Sequence, residues 1–148
     1  MITNKLEYLL LILIDLALSE NDKYIATKDV AKRQEIPLNY IPQLMALLSN
    51  KGWVDSCRGC KGGVMLIADP AKITISNVAK VANEPLTIKA CVSPKHKCHR
   101  KEECPLNMIW FQAQQSINGI FETTTLADLL KIKSRLSKKS PSKTNSGK

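Results

Sequence analysis

Three of the five cysteines in this chain lie within fifteen residues. Cys91, Cys98 and Cys104 belong to the stretch CVSPKHKCHRKEECP (residues 91–105), with six residues between the first two and five between the last two. Pro94 opposes a helix, and the charges alternate without an apolar face. A segment of this kind buries too little surface to order itself. Three thiolates would order it by holding one metal centre, because metal binding and local folding share one free energy. Cysteines a few residues apart on a flexible loop are also how chains wrap an iron–sulfur cluster. A plain mobile cysteine loop is the alternative. His96 and His99 lie in the same loop, so zinc held by the three cysteines and a histidine stays open.

A second pair, Cys57 and Cys60, has Cys-x-x-Cys spacing. That spacing suits zinc or a redox disulfide, but one pair supplies only two ligands. Two incidental thiols is the competing reading. Five cysteines is an odd number without the density of a disulfide scaffold, which suits a reducing compartment.

The elements that must position these residues read as mostly helical. The chain has 148 residues, of which 44% are hydrophobic and only 5% aromatic, so the core is built from Leu, Ile, Val and Ala. The formal charge is +9, but residues 131–148 carry seven basic residues and no acid, leaving a net of +2 for residues 1–130. The high charge is mainly a tail property and by itself says little about nucleic acid. Residues 6–18 form an apolar run too short to span a membrane. The run carries Glu7 and Asp15, with only Lys5 as a basic flank. It reads as a buried helix of a cytoplasmic protein with no membrane partner. A helix apolar nearly all round is buried nearly all round, so a second chain is expected to cover part of it. Glu7 then either seeks a partner or sits in an exposed first turn, favoured by the helix dipole.

Thr27 is placed to cap a short helix over 28–34, and Glu35-Ile36-Pro37 breaks it. A second helix over 38–51 tolerates Pro42 in its first turn and ends at Gly52. Two short helices about a tight break suggest a helix-turn-helix. Strands over 53–56 and 64–67, joined by Arg58-Gly59-Cys60-Lys61-Gly62-Gly63, add a hairpin with a basic tip. The sum is a winged helix-turn-helix, mainly α with a small β-hairpin wing. Its second helix would enter a major groove of a double-stranded DNA operator, with Asn39 and Gln43 reading bases and Tyr40 on phosphate. Arg58 and Lys61 on the wing, and Lys28 at the start of the first helix of the pair, complete the expected DNA-binding set. An oxidised Cys57–Cys60 pair would reshape the wing beside the DNA.

Ser76 is read as the cap of a helix over 77–83. Pro105 starts a long helix whose Leu106, Ile109, Trp110, Ala113, Ile117, Ile120 and Phe121 form one apolar stripe, expected to seal a homodimer against the first helix. Thr125 caps a last helix over 126–136. Four regions follow: a DNA-binding domain over 1–84, a cluster-binding loop over 85–104, dimerisation helices over 105–136, and a disordered basic tail over 137–148.

This order resembles the IscR/NsrR family of bacterial winged-helix regulators (the Rrf-two family) over residues 1–135. The resemblance is carried by VAKRQEIPLNYIPQL at 30–44, RGCKGGVML at 58–66, and the three cysteines followed by Leu106 and Trp110. It implies a dimeric DNA-binding repressor or activator whose 2Fe–2S or 4Fe–4S centre, on its loss, oxidation or nitrosylation, changes operator affinity. Cys91, Cys98 and Cys104 match the family's ligands, although the first gap is one residue longer than usual. Asn107 stands where IscR has a histidine ligand. Glu7 matches the carboxylate that NsrR-like members donate from the other subunit. The fourth ligand is therefore ranked Glu7, then His96 or His99, then Asn107, and a 4Fe–4S centre is favoured over 2Fe–2S. Nitric oxide, redox state and iron supply are the implied signals. Arg58 matches the wing arginine that enters the minor groove, while Pro42 replaces an acidic residue that selects bases in IscR. A zinc-bound or thiol-redox regulator without a cluster is the alternative. An enzyme is not expected, because no carboxylate pair, phosphate-binding glycine loop or positioned Cys–His pair is evident.

Overall fold

The computed structural model describes residues 2–20, 22–59 and 62–139. The first helix, α1 (Asn4–Leu18), is capped by Thr3, whose hydroxyl accepts the Leu6 N–H. Leu6, Leu9, Ile12, Leu13 and Leu16 recur at helical spacing and form the centre of the core. Burial is one-sided within a single chain: Leu11 and Ile14 are half-buried and Leu18 is exposed.

Helices α2 (Thr27–Arg33) and α3 (Ile41–Lys51) form the helix-turn-helix. Both helices start differently from the sequence expectation. Thr27 is the first helical residue rather than the cap; Ala26 takes the cap position without a side-chain bond. The second helix starts at Ile41, not 38, because the Tyr40 N–H closes a turn onto the Pro37 carbonyl first. Pro42 then falls in the first turn of α3, where its missing N–H costs nothing. At the far end Gly52 adopts a left-handed conformation (φ 81°), and its N–H satisfies the carbonyls of Leu48 and Ser49.

The wing is the antiparallel pair β1 (Val54–Cys57) and β2 (Gly63–Leu66), each shifted by one residue from the sequence reading. Ile25 pairs with Val64 on the free edge of β2 through bonds of 2.9 and 2.8 Å, so the segment before α2 is stitched to the wing. This approach requires a glycine: a Cβ on Gly63 would lie 2.2 Å from the Ile25 carbonyl oxygen.

A 3-10 turn (Pro70–Lys72) leads to α4 (Ile75–Ala82). Its cap is Thr74 rather than Ser76, in a reciprocal box with Asn77 (3.0 and 3.1 Å). The long helix α5 (Pro105–Thr123) starts at Pro105 as the sequence suggests, and packs on α4 and on a 3-10 turn over Ala90–Val92. The last helix, α6 (Leu126–Lys139), is capped by Thr125 in a box with Asp128 and runs three residues past the expected Leu136. It folds back on α1 and buries Leu126 in the core, anchored by the Leu126 N–H on the Ile73 carbonyl (2.7 Å). The single core thus draws on the C-terminal helix as well as on the first four.

Candidate DNA-binding face and cysteine loop

The helix-turn-helix and wing present a set of exposed polar side chains on a buried base. Pro42, Gln43, Ala46, Asn50 and Lys51 are the exposed positions of α3, opposite its buried Ile41, Leu44, Met45 and Leu48. Asn39 is exposed in the turn before the helix, not on its first turn. Tyr40 is half-buried, its ring edge-on to Tyr8 of α1 (centroids 5.9 Å apart, planes at 75°), so the ring anchors the turn to α1. Lys28 and Arg58 are exposed at the start of α2 and in the wing turn. Lys61 lies outside the described residues, as do Cys60 and positions 140–148 of the basic tail. Cys57 is exposed at the end of β1 and lines a shallow groove with Thr27, Lys28 and Met45; the other half of its sequence pair is not described.

Two interactions that brace this face were not anticipated from the sequence. Asp15, buried in α1, accepts from Arg33 Nε and Nη2 (3.0 and 2.7 Å) and from Gln34 Nε2 (2.9 Å). The fork of bonds that Arg33 donates to Asp15 pushes the guanidinium's titration higher still. On the wing, the Tyr24 hydroxyl donates to Asp55 at 2.5 Å, and that bond raises the tyrosine's pKa. An acid within an apolar helical run was the signal for the first, since a buried carboxylate demands donors.

The cysteine loop is tethered at both ends to α5. At its start, the buried Gln114 accepts the Ile88 N–H (2.9 Å) and donates to the Leu86 carbonyl (2.7 Å) and to Asn118 (2.8 Å). Gln114 is the buried residue of a helix whose other side chains are partly or fully exposed. Cys91 sits in the 3-10 turn against α5, and Cys104 is the N-cap residue of α5. Cys98 lies between them in a succession of turns, including the Cys104 N–H on the Arg100 carbonyl (2.9 Å). All three thiols are half-buried and free of disulfides. His96 and His99 are exposed, and Asn107 is half-buried with its backbone N–H on the Cys104 carbonyl. Glu7 is exposed in the first turn of α1.

The donor set fits an iron–sulfur or zinc centre in kind, since thiolates are the soft ligands both take. It is not gathered in place: among the described residues, no three His, Cys, Asp or Glu side chains converge on one point. Closing the loop between its two tethers is what an ion would have to do. No helix among the described residues is long and apolar enough to cross a membrane.

Comparison with known proteins accords with this arrangement. The family model Rrf2, described as an iron-dependent transcriptional regulator, matches residues 2–132. The chain is 30% identical over 129 residues to the HTH-type transcriptional regulator IscR of Serratia proteamaculans, covering 87% of this chain and 78% of that one. Among solved structures it is similar to CymR, the global cysteine regulator of B. subtilis (TM-score 0.71, 27% identity, 89% of this chain and 97% of that one). It is also similar to IscR of T. potens (TM-score 0.67, 25% identity, 95% and 92%). The sequence resemblance is therefore correct at the level of family and fold, and this chain belongs to the Rrf2 family of winged-helix, DNA-binding transcriptional regulators.

Proposed function

We propose that the protein acts as a homodimer whose operator affinity is set by an iron–sulfur centre, held by Cys91, Cys98 and Cys104 with the partner subunit's Glu7 as fourth ligand. The observation that carries this reading is the pair of tethers on the cysteine loop: Cys91 and Cys104 are each fixed against α5, while Cys98 and the residues around it are held only by turns. A loop fixed at both ends and loose in the middle loses little further entropy on closing around an ion. When bound, the centre supplies a tie between loop and helix that oxidation, nitric oxide or iron loss breaks. The chain's own residues do the rest. Glu7 is exposed in the first turn of α1. Asn39 and Gln43 face the major groove, and Lys28 and Arg58 hold phosphate or the minor groove. Three thiolates with a carboxylate resemble the NsrR-type 4Fe–4S case more than the IscR-type 2Fe–2S case.

The exposed apolar side chains of α5, among them Leu106 at 53%, Ile109 at 52% and Ile120 at 59% exposure, support the homodimer. A second reading, zinc or thiol-redox control without a cluster, is supported by three half-buried free thiols with the exposed His96 and His99 in the same loop. The visible absorption spectrum of protein purified without oxygen, with iron and sulfide analysis, separates the two. A broad visible band with stoichiometric iron and sulfide, lost in Glu7→Ala, is the expected result. A colourless protein that stays colourless after reconstitution would replace the cluster with zinc or thiol chemistry.

A further inference from the structure

The helix that carries Glu7 at one end carries Asp15 eight residues on, about 12 Å along the same rigid rod. Asp15 is buried, and its two carboxylate oxygens take three donors from Arg33 and Gln34. Arg33 is the last residue of α2 and Gln34 is its C-cap, so the donors come from the turn between the two helices of the DNA reader. A planar guanidinium on a carboxylate fixes direction as well as distance, since two parallel bonds resist rotation where one would allow it. Among the described residues, the other links between α1 and the reader are apolar packing and the Tyr8–Tyr40 ring contact, which tolerate sliding.

We infer that the Asp15–Arg33–Gln34 clamp is the positioning element through which a change at Glu7 reaches the helix-turn-helix. The clamp locks the junction of α2 and α3 to α1, so a rotation or shift of α1 is transmitted to the recognition helix instead of being absorbed by packing. This rests on the proposed role of Glu7 as a ligand. Since half-site spacing between two readers is a geometric requirement, a small displacement of each reader changes affinity.

The test uses the full-length dimer and a duplex recovered by the wild type from a random-sequence pool. Dissociation constants are measured for cluster-loaded and iron-stripped protein, alongside thermal unfolding and the visible band. The wild type is expected to show a difference between the two forms of about tenfold or more, within the usual range of allosteric coupling. Arg33→Gln should keep the visible band while its loaded and stripped affinities converge to within about twofold. Arg33→Lys, which keeps the charge but loses the fork, should fall between. A merely structural role would weaken both forms equally and leave their ratio intact, and that result overturns the inference while leaving the cluster reading standing. If Arg33→Gln does not fold, Asp15→Asn, which keeps the shape and loses the charge, is judged by the same ratio. A wild type whose two forms bind alike would remove the cluster reading and the inference together.

Discussion

The winged helix-turn-helix and the cysteine loop with α5 are built to different standards of completeness. In the first, α1 to α4 and the wing share one buried core with Leu126 of α6, and several helix ends are closed by a named group: Thr3, Gly52, the Thr74–Asn77 box, Asn83. In the second, nineteen helical residues of α5 bury Gln114 and leave Leu106, Met108, Ile109, Phe111 and Ile120 more than half exposed. A region that satisfies its own apolar surface and backbone is finished when it folds. One that leaves an apolar face and three free thiols is finished by something it binds. The contrast sets the helix-turn-helix and wing on the buried core and leaves the three thiols in the region whose apolar face is uncovered.

Single side chains separate the two regions most visibly. Leu9, fully buried in α1, should cost about 2–5 kcal/mol when changed to Ala. Met108, 66% exposed on α5, should stay within about 0.5 kcal/mol on the same change. Chemical denaturation of dilute protein measures both, and equal losses would mean that α5 is already covered. Arg58→Ala should weaken operator binding by about 1–3 kcal/mol, without moving the unfolding transition, if the exposed wing arginine reads the groove. An unchanged affinity and salt slope would remove it from the interface. Gln114→Ala removes the hydrogen bonds that hold Ile88 and Leu86 to α5, each worth about 1 kcal/mol. Faster exchange of the Ile88 amide and weaker retention of iron are expected. Unaltered exchange would show that the loop is held by other means.

The smallest effect concerns acid. The Thr125 amide and hydroxyl donate to Asp128 and hold its carboxyl below the usual carboxylate range. Its contribution to the cap of α6 is therefore present above the unfolded carboxylate pKa and is lost as pH falls through the lower folded value. Asp128→Asn should flatten that part of the acid-unfolding curve, read by circular dichroism. A curve that keeps its wild-type shape would assign the acid transition to other carboxylates.

Much of the first region is legible in the sequence because its cues are local. Helical spacing in 6–18, the Pro37 break, Gly52 and the paired glycines of the wing each act within a few residues, and each helix and strand they suggest is present. The failures are choices among equivalent neighbours. Thr74 and Ser76 both offer a hydroxyl, and what decides between them is extended backbone at 74 together with Asn77 three residues on. Thr27 could cap, but the extended backbone falls at Ala26. Return of α6 to the core through Leu126, and the choice of Arg33 and Gln34 as the partners that Asp15 demands, depend on contacts between distant segments, which no local pattern encodes. In the loop, the donors are plain from their type and spacing. Their convergence is not, because it depends on what binds.

Residue-resolved hydrogen exchange of the anaerobically purified protein, before and after removal of iron, tests the division of labour most directly. Slow exchange is expected throughout α1, α3 and α4 in both forms, with protection of the amides between Cys91 and Cys104 only while iron is bound. Equal protection of that loop in the two forms, or loss of protection across α1 to α4 on removing iron, would contradict this expectation.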